Sequence, residues 1–202
     1  MQLLDPYKKI AVAVAVLSLN ACALVAHQST KTSAPQAAQS AMADSDYRRA
    51  VTAAKAGREE DASKLFTAVT KSHPDSAAAY INLGLIELKR DNLHTAKTAL
   101  VHAAALAPRQ PEVYNALGIV YRRLGRFDDA ETAYLKALRL SPDYANAQMN
   151  IGILYDIYLN NLSAALDHYQ HYQAITGGRD AQVKRWIQDV KLRRAKTMGA
   201  AK

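Results

Sequence analysis

Sulfur and turn-forming residues are scarce in this sequence. Its 202 residues include one cysteine, Cys22, so no internal disulfide framework and no multi-cysteine zinc site can form. Eight glycines and six prolines are too few for a turn-rich all-β fold. The chain is instead rich in Ala, Leu, Lys, Arg and Glu, which favours helices. Phenylalanine and tryptophan are nearly missing, with two and one copies against eleven tyrosines, so most rings carry a hydroxyl that needs a partner when buried. Acidic residues are outnumbered, 18 against 26 basic ones, for a formal charge of +8. That surplus suits an anionic lipid surface, an acidic partner or nucleic acid, and composition does not choose among them. No glycine-rich phosphate loop, Gly-x-Ser-x-Gly element or Ser/His/Asp constellation occurs, so nothing in the sequence points to an enzyme or to a cofactor.

The one long apolar run lies near the N-terminus, where Lys8 and Lys9 precede Ile10 to Leu19. Ten residues are too few for a permanent membrane span but have the size of a secretory h-region. Leu19, Asn20, Ala21 and Cys22 follow, and this segment resembles a bacterial lipoprotein signal. The resemblance implies cleavage after residue 21 and lipidation of Cys22. With Ala23 rather than aspartate next, it also implies the outer membrane, facing the periplasm. Ala21 and Ala23 leave as the alternative an ordinary signal-peptidase cut after Ala23, which would release a soluble periplasmic protein. Residues 22–44 are dominated by Ala, Ser, Thr and Gln without apolar periodicity and read as a lipidated cysteine on a flexible tether. Fully extended, that tether reaches roughly 70 Å.

Beyond it a period of 34 residues organises the chain. Gly84, Gly118 and Gly152 share it, as do Leu83, Leu117 and Ile151, Pro74, Pro108 and Pro142, and Ala62, Ala96, Ala130 and Ala164. The fullest copy has Tyr114, Leu117, Gly118, Tyr121, Gly125, Ala130, Tyr134, Ala137 and Pro142. This is the residue pattern of the tetratricopeptide repeat (TPR), which the chain resembles. The resemblance implies an all-α solenoid of about four helix hairpins, over residues 45–76, 77–110, 111–144 and 145–178. Small residues let paired helices approach, Leu and Tyr fill the space between them, and proline stops the second helix. The first copy is worn, with Arg49, Ala50 and Ala53 at the Leu, Gly and Tyr columns. In the fourth, Ala165, Tyr169 and Tyr172 fit best one residue late, which predicts a connector longer by one. Residues 179–196, after Gly177 and Gly178, read as an amphipathic capping helix burying Val183, Trp186, Ile187 and Val190; a basic tail, 197–202, follows.

Chemistry-bearing residues are few. His168 and His171 share a helical face, but zinc would need further ligands that the sequence does not supply, so they read as surface histidines. Glu59, Glu60, Asp61, Asp128 and Asp129 fall in the first turns of second helices, where carboxylates complement the helix dipole. From Asp180 to Lys202 seven basic residues face two acidic ones, a solvated face or a contact for anionic lipid or an acidic partner. In the repeat family the second, fifth, ninth, twelfth and thirteenth positions line a concave groove. The resemblance thus implies a partner-binding set of Ile81, Leu85 and Leu88, then Asn115, Ile119, Arg122 and Arg123, then Asn146, Met149, Ile153, Asp156 and Ile157, with Asn82 and Asn150 beside them. It does not reproduce the carboxylate clamp of chaperone-binding repeats. The expectation is a non-enzymatic adaptor: anchored in the outer membrane by lipid, it binds a protein partner rather than nucleic acid or a small-molecule substrate. It is similar in type to the pilotin lipoproteins of pilus and secretion-channel assembly. A soluble periplasmic form and a regulatory subunit of a peptidoglycan enzyme are the alternatives.

Overall fold

A computed structural model describes residues 34–200. The proposed signal, the lipidation site Cys22 and the first part of the tether lie outside the described residues. Nine α-helices follow one another among the described residues: α1 (Ala34–Lys55), α2 (Glu59–Ser72), α3 (Ala77–Lys89), α4 (Leu93–Leu106), α5 (Pro111–Arg123), α6 (Phe127–Leu140), α7 (Ala145–Ile153), α8 (Leu162–Ile175) and α9 (Ala181–Ala200). A five-residue π turn, Leu154–Tyr158, continues α7. No strand occurs among these residues, and none of the helices is long and apolar enough to cross a membrane. The fold is the expected all-α solenoid.

Each hairpin is set by the repeat columns. A Cβ on Gly84 would sit 2.5 Å from Leu100 Cγ, one on Gly152 would sit 2.7 Å from the Tyr169 ring, and one on Gly118 would collide with the edge of the Tyr134 ring. Glycine is therefore what lets the second helix lie directly on the first. In the worn first copy the same place is filled by Ala50 against Phe66, both fully buried. Second helices end where proline requires it. His73, Ala107 and Ser141, which precede the three prolines, leave the helical region with φ between −145° and −131°. The hydrophobic clusters run across hairpin boundaries. Leu83 and Ala99 join Ala50, Ala62 and Phe66, while Leu100 and Ala103 join Val113, Leu117 and Val120. No hairpin buries its apolar face alone, and stacking supplies the core.

First helices touch one another, α3 with α5 and α5 with α7. In a stack of such repeats the first helices form the inner face, here α3, α5 and α7. Both ends are finished differently. At the N-terminal end Arg49 stands in the column of the buried Leu83 and Leu117, and with Ser45, Arg48, Thr52, Arg58, Asp61 and Lys64 it lines an open cavity of about 710 Å³. At the C-terminal end Val183 and Val190 of α9 are fully buried, and Trp186 lies against Tyr169 at 5.6 Å. The Asp180 carboxylate starts α9 by accepting from the amides of Gln182 (2.9 Å) and Val183 (3.1 Å).

Three expectations need correction. The tether loses residues 34–44, because α1 already begins at Ala34. That stretch is Ala- and Gln-rich, and its one proline, Pro35, falls in the first turn, where no amide donor is required. The cap continues past Lys196 to Ala200, since no breaker intervenes before Gly199. The fourth connector is not lengthened. All four hairpins turn through three residues, 56–58, 90–92, 124–126 and 159–161. The extra residue sits upstream in the π turn, where the Leu159 amide reaches back to the Leu154 carbonyl at 3.1 Å. Absorbing it there keeps the tight turn while Leu162, Ala165 and Tyr169 stay in the core.

Candidate partner-binding groove

The fourteen residues that the repeat pattern selects lie on α3, α5, α7 and the π turn, and they divide by what they touch. Ile81, Leu85 and Ile119 are half-buried and lean on the core cluster of Leu100 and Leu117. Met149 is half-buried, Asn146 is exposed, and Ile157 is 63% exposed. These keep surface for a partner. Leu88 belongs to the core cluster, and Ile153, 1% exposed, is sealed inside. Four more serve the stack itself. Asn82 donates to the Tyr47 hydroxyl at 2.9 Å and to the Ala78 carbonyl at 2.8 Å, tying α3 to α1. Asn150 donates to the side-chain oxygen of the buried Asn115 at 2.9 Å, tying α7 to α5. Arg123 donates to the Leu88 carbonyl at 2.9 Å and pairs with Asp91, locking the end of α5 onto the turn between α3 and α4.

Asp156 departs most from its column. It is 7% exposed, accepts from the Tyr169 hydroxyl at 3.3 Å and pairs with Arg193 of α9. The π turn has rotated it inward, so it closes the joint between the fourth hairpin and the cap rather than facing a partner. In its stead the turn brings out Tyr158, 41% exposed, which the repeat pattern did not select. Tyr158 packs on Phe127 with ring centroids 4.9 Å apart and accepts a hydrogen bond from Arg122 Nη1 at 3.3 Å. The Arg122 guanidinium also lies over that ring, 5.6 Å from its centroid. The signal for this exchange was the one-residue slip in the fourth copy, which changes the phase of everything between Ile153 and Leu162.

Elsewhere the polar groups are structural. Glu87, which replaces an aromatic of the pattern, is 3% exposed. Burial opposes its charge, but hydrogen bonds from Ser63, Asn92 and Arg90 outweigh that and hold its carboxyl below the usual range. Gln148 bridges the two histidines: its side-chain oxygen accepts from His168 Nδ1 at 2.6 Å, and its amide nitrogen lies 3.3 Å from His171 Nδ1. His171 Nε2 reaches Asp143 at 3.1 Å. Among the described residues no three His, Cys, Asp or Glu side chains gather where a metal ion could be held.

Solved structures share this architecture. A MamA fragment from Desulfovibrio magneticus RS-1 matches with a TM-score of 0.63 and 22% identity over 69% of this chain and 78% of its own. An O-GlcNAc transferase mutant from Thermobaculum terrenum matches with a TM-score of 0.62 and 23% identity over 73% of this chain, but only 27% of its own. The first TPR of Spaghetti (RPAP3), bound to the HSP90 peptide SRMEEVD, matches with a TM-score of 0.56 and 18% identity over 59% of this chain and 93% of its own. At such identities the likeness is one of fold. Comparison with curated protein sequences gave no match. Family models for the tetratricopeptide repeat match residues 44–76, 75–143 and 109–176. The sequence period and the stacked hairpins thus have one explanation, and the chain belongs to the tetratricopeptide repeat family.

Proposed function

We propose that this protein is a lipid-anchored adaptor that holds a partner protein in the bacterial periplasm, at the outer membrane, and supports assembly of an envelope machine such as a pilus or secretion system. The repeat family supports the coarser half of this reading: a scaffold whose work is protein–protein contact. The observation that carries it is the inner face itself, where Ile81, Leu85, Ile119, Met149 and Ile157 keep apolar surface open beside a guanidinium. Such a face accepts an apolar helix or extended segment with acidic flanks. The anchoring half rests on Lys8, Lys9, the apolar run and Cys22 at the lipobox position.

Two measurements test the halves separately. A double variant, Ile119→Glu with Ile157→Glu, places charge on the open part of the groove and leaves the sealed Ile153 alone. It is expected to lose the partners that the wild-type protein captures from envelope extracts while keeping its helical circular dichroism. Retained capture by a folded variant removes the groove reading. Radiolabelled palmitate is expected to label the wild type and not Cys22→Ala. An unlabelled wild type with a terminus at residue 24 would establish the soluble periplasmic form that Ala21 and Ala23 permit.

A further inference from the structure

Arg122 differs from every other arginine near it. Arg123 pairs with Asp91, Arg126 with Asp129 at 2.7 Å, and Arg193 with Asp156. Arg122 has no carboxylate partner among the described residues; its one hydrogen bond of good geometry, from Nη1, goes to the Tyr158 hydroxyl, and the Tyr134 hydroxyl lies beside it. Its Nε is buried without an acceptor in good hydrogen-bond geometry. The Tyr134 hydroxyl beside it is likewise buried, on a side chain that is 0% exposed, and answers the guanidinium with a neutral oxygen rather than a counter-charge. A cation so placed has lost much of its water without gaining a counter-charge, which makes it a strong site for an incoming anion.

The register explains why no internal acid serves it. Asp156 occupies the same column one repeat later, but the π turn carries it inward to Arg193 and puts Tyr158 beside Arg122 instead. The guanidinium lies over a ring that is itself braced on Phe127, with exposed Ile157 preceding it in the chain. Positioning, a missing counter-charge and an adjoining apolar surface coincide at one point. We propose that Arg122 reads the charge of the groove's occupant: a protein segment that seats an acidic side chain on Arg122 and an apolar neighbour on Ile157 and Tyr158. This rests on the groove reading above and adds the chemistry of the bound residue. An internal acidic residue is favoured over a chain end because the inner face continues on both sides of Arg122, through Leu85 and Met149, so the bound chain can run past.

The test uses the full chain and a library of random dodecapeptides, from which binders are selected, resynthesised with acetylated and amidated ends, and titrated by fluorescence anisotropy. Binders are expected to carry Asp or Glu beside an apolar residue. Changing that acid to its amide should weaken binding roughly ten- to hundredfold, as expected for a charge-assisted hydrogen bond. Arg122→Gln should bind the acid and amide peptides equally, and Arg122→Lys should keep a reduced preference, which guards against loss of fold in the first variant. Peptides that need Ile119 yet show no acid preference, or the same preference with Arg122→Gln, overturn the role of Arg122 and leave the groove standing. Binding that requires a free C-terminal carboxylate overturns the choice of an internal acid. Binders indifferent to Ile119→Glu, or a selection that yields none, overturn the groove reading and this inference with it.

Discussion

The third and fourth hairpins are built from the same columns and differ by one residue. In the third, Gly118 lies under Tyr134, sixteen positions on, and α5 is regular to its end. In the fourth, Gly152 lies under Tyr169, seventeen positions on, and α7 passes into a π turn. Packing between the paired helices is preserved. What changes is the inner face beyond the turn, where an acid is withdrawn and an aromatic is presented. An insertion at the end of a first helix can thus rewrite the binding surface while leaving the core columns in place. The cost to backbone regularity is confined to five residues.

The sharpest way to break this comparison is to ask which residue of the fourth hairpin is core. A strict period of 34 from Tyr134 points to His168, whereas the structure buries Tyr169. Tyr134→Ala and Tyr169→Ala are each expected to destabilise by about 3–5 kcal/mol, and His168→Ala by less than about 1 kcal/mol. Urea titrations of the three variants decide it; a large loss for His168→Ala with a small one for Tyr169→Ala would mean that the register has not shifted. Next in size is Asp156→Ala. It leaves Arg193 without its buried partner at the joint between hairpin and cap, and the expected loss is about 2–3 kcal/mol, below that of a wholly buried pair because Arg193 is partly exposed. Faster amide exchange in α9 than in α5 would accompany it. A loss below about 0.5 kcal/mol would show that the pair does not close the cap.

Much of this was legible because helical repeats print their contacts at a fixed spacing. Leu83, Gly84, Ala96, Leu100 and Pro108 each fill the role their columns assign, and the slip after Gly152 was visible in Ala165 and Tyr169. The place of the extra residue was not, because a longer connector and a π turn shift the downstream sequence equally. The inner face was harder to read for a related reason. Column position says which way a side chain starts from its helix, not what meets it. Asp156 and Arg193, or Arg123 and Asp91, pair across helices in ways that depend on local phase and on charges far away in sequence. Tyr158 was missed because no unshifted column contains it.

A smaller effect separates the two buried tyrosines by their hydroxyls. Tyr169 donates to Asp156, and Tyr169→Phe is expected to cost about 1 kcal/mol. The Tyr134 hydroxyl has the Arg122 guanidinium beside it but no hydrogen bond of good geometry, and burial pushes it up to about 12 against the pull of Arg122. Tyr134→Phe should therefore be neutral or stabilise by up to about 1 kcal/mol, since it removes a buried polar group that gains only a poorly aligned contact with Arg122. Equal losses for the two variants would show that the hydroxyls do not distinguish the hairpins.

The smallest expected effect lies in the turns. Gly57, Asp91, Gly125 and Asn160 occupy one position of successive connectors, all with positive φ, at 72°, 66°, 73° and 49°. The spacing is 34, 34 and then 35, so the π turn has delivered the fourth connector in phase. A side chain in the left-handed region is strained, though less for Asn and Asp than for others. Asn160→Gly should relieve that strain and stabilise by a few tenths to about 1 kcal/mol, the gain being trimmed by the greater freedom of glycine in the unfolded chain. Asp91→Gly relieves the same strain but also removes the carboxylate that Arg123 grips. That pair is largely exposed and contributes at most about 1 kcal/mol, so the two terms should nearly cancel. Thermal melts of both variants are the measurement. A stabilised Asn160→Gly beside an unchanged Asp91→Gly would mark the second connector as a clamp on α5, and a gain in both would reduce Arg123 to an ornament of the surface.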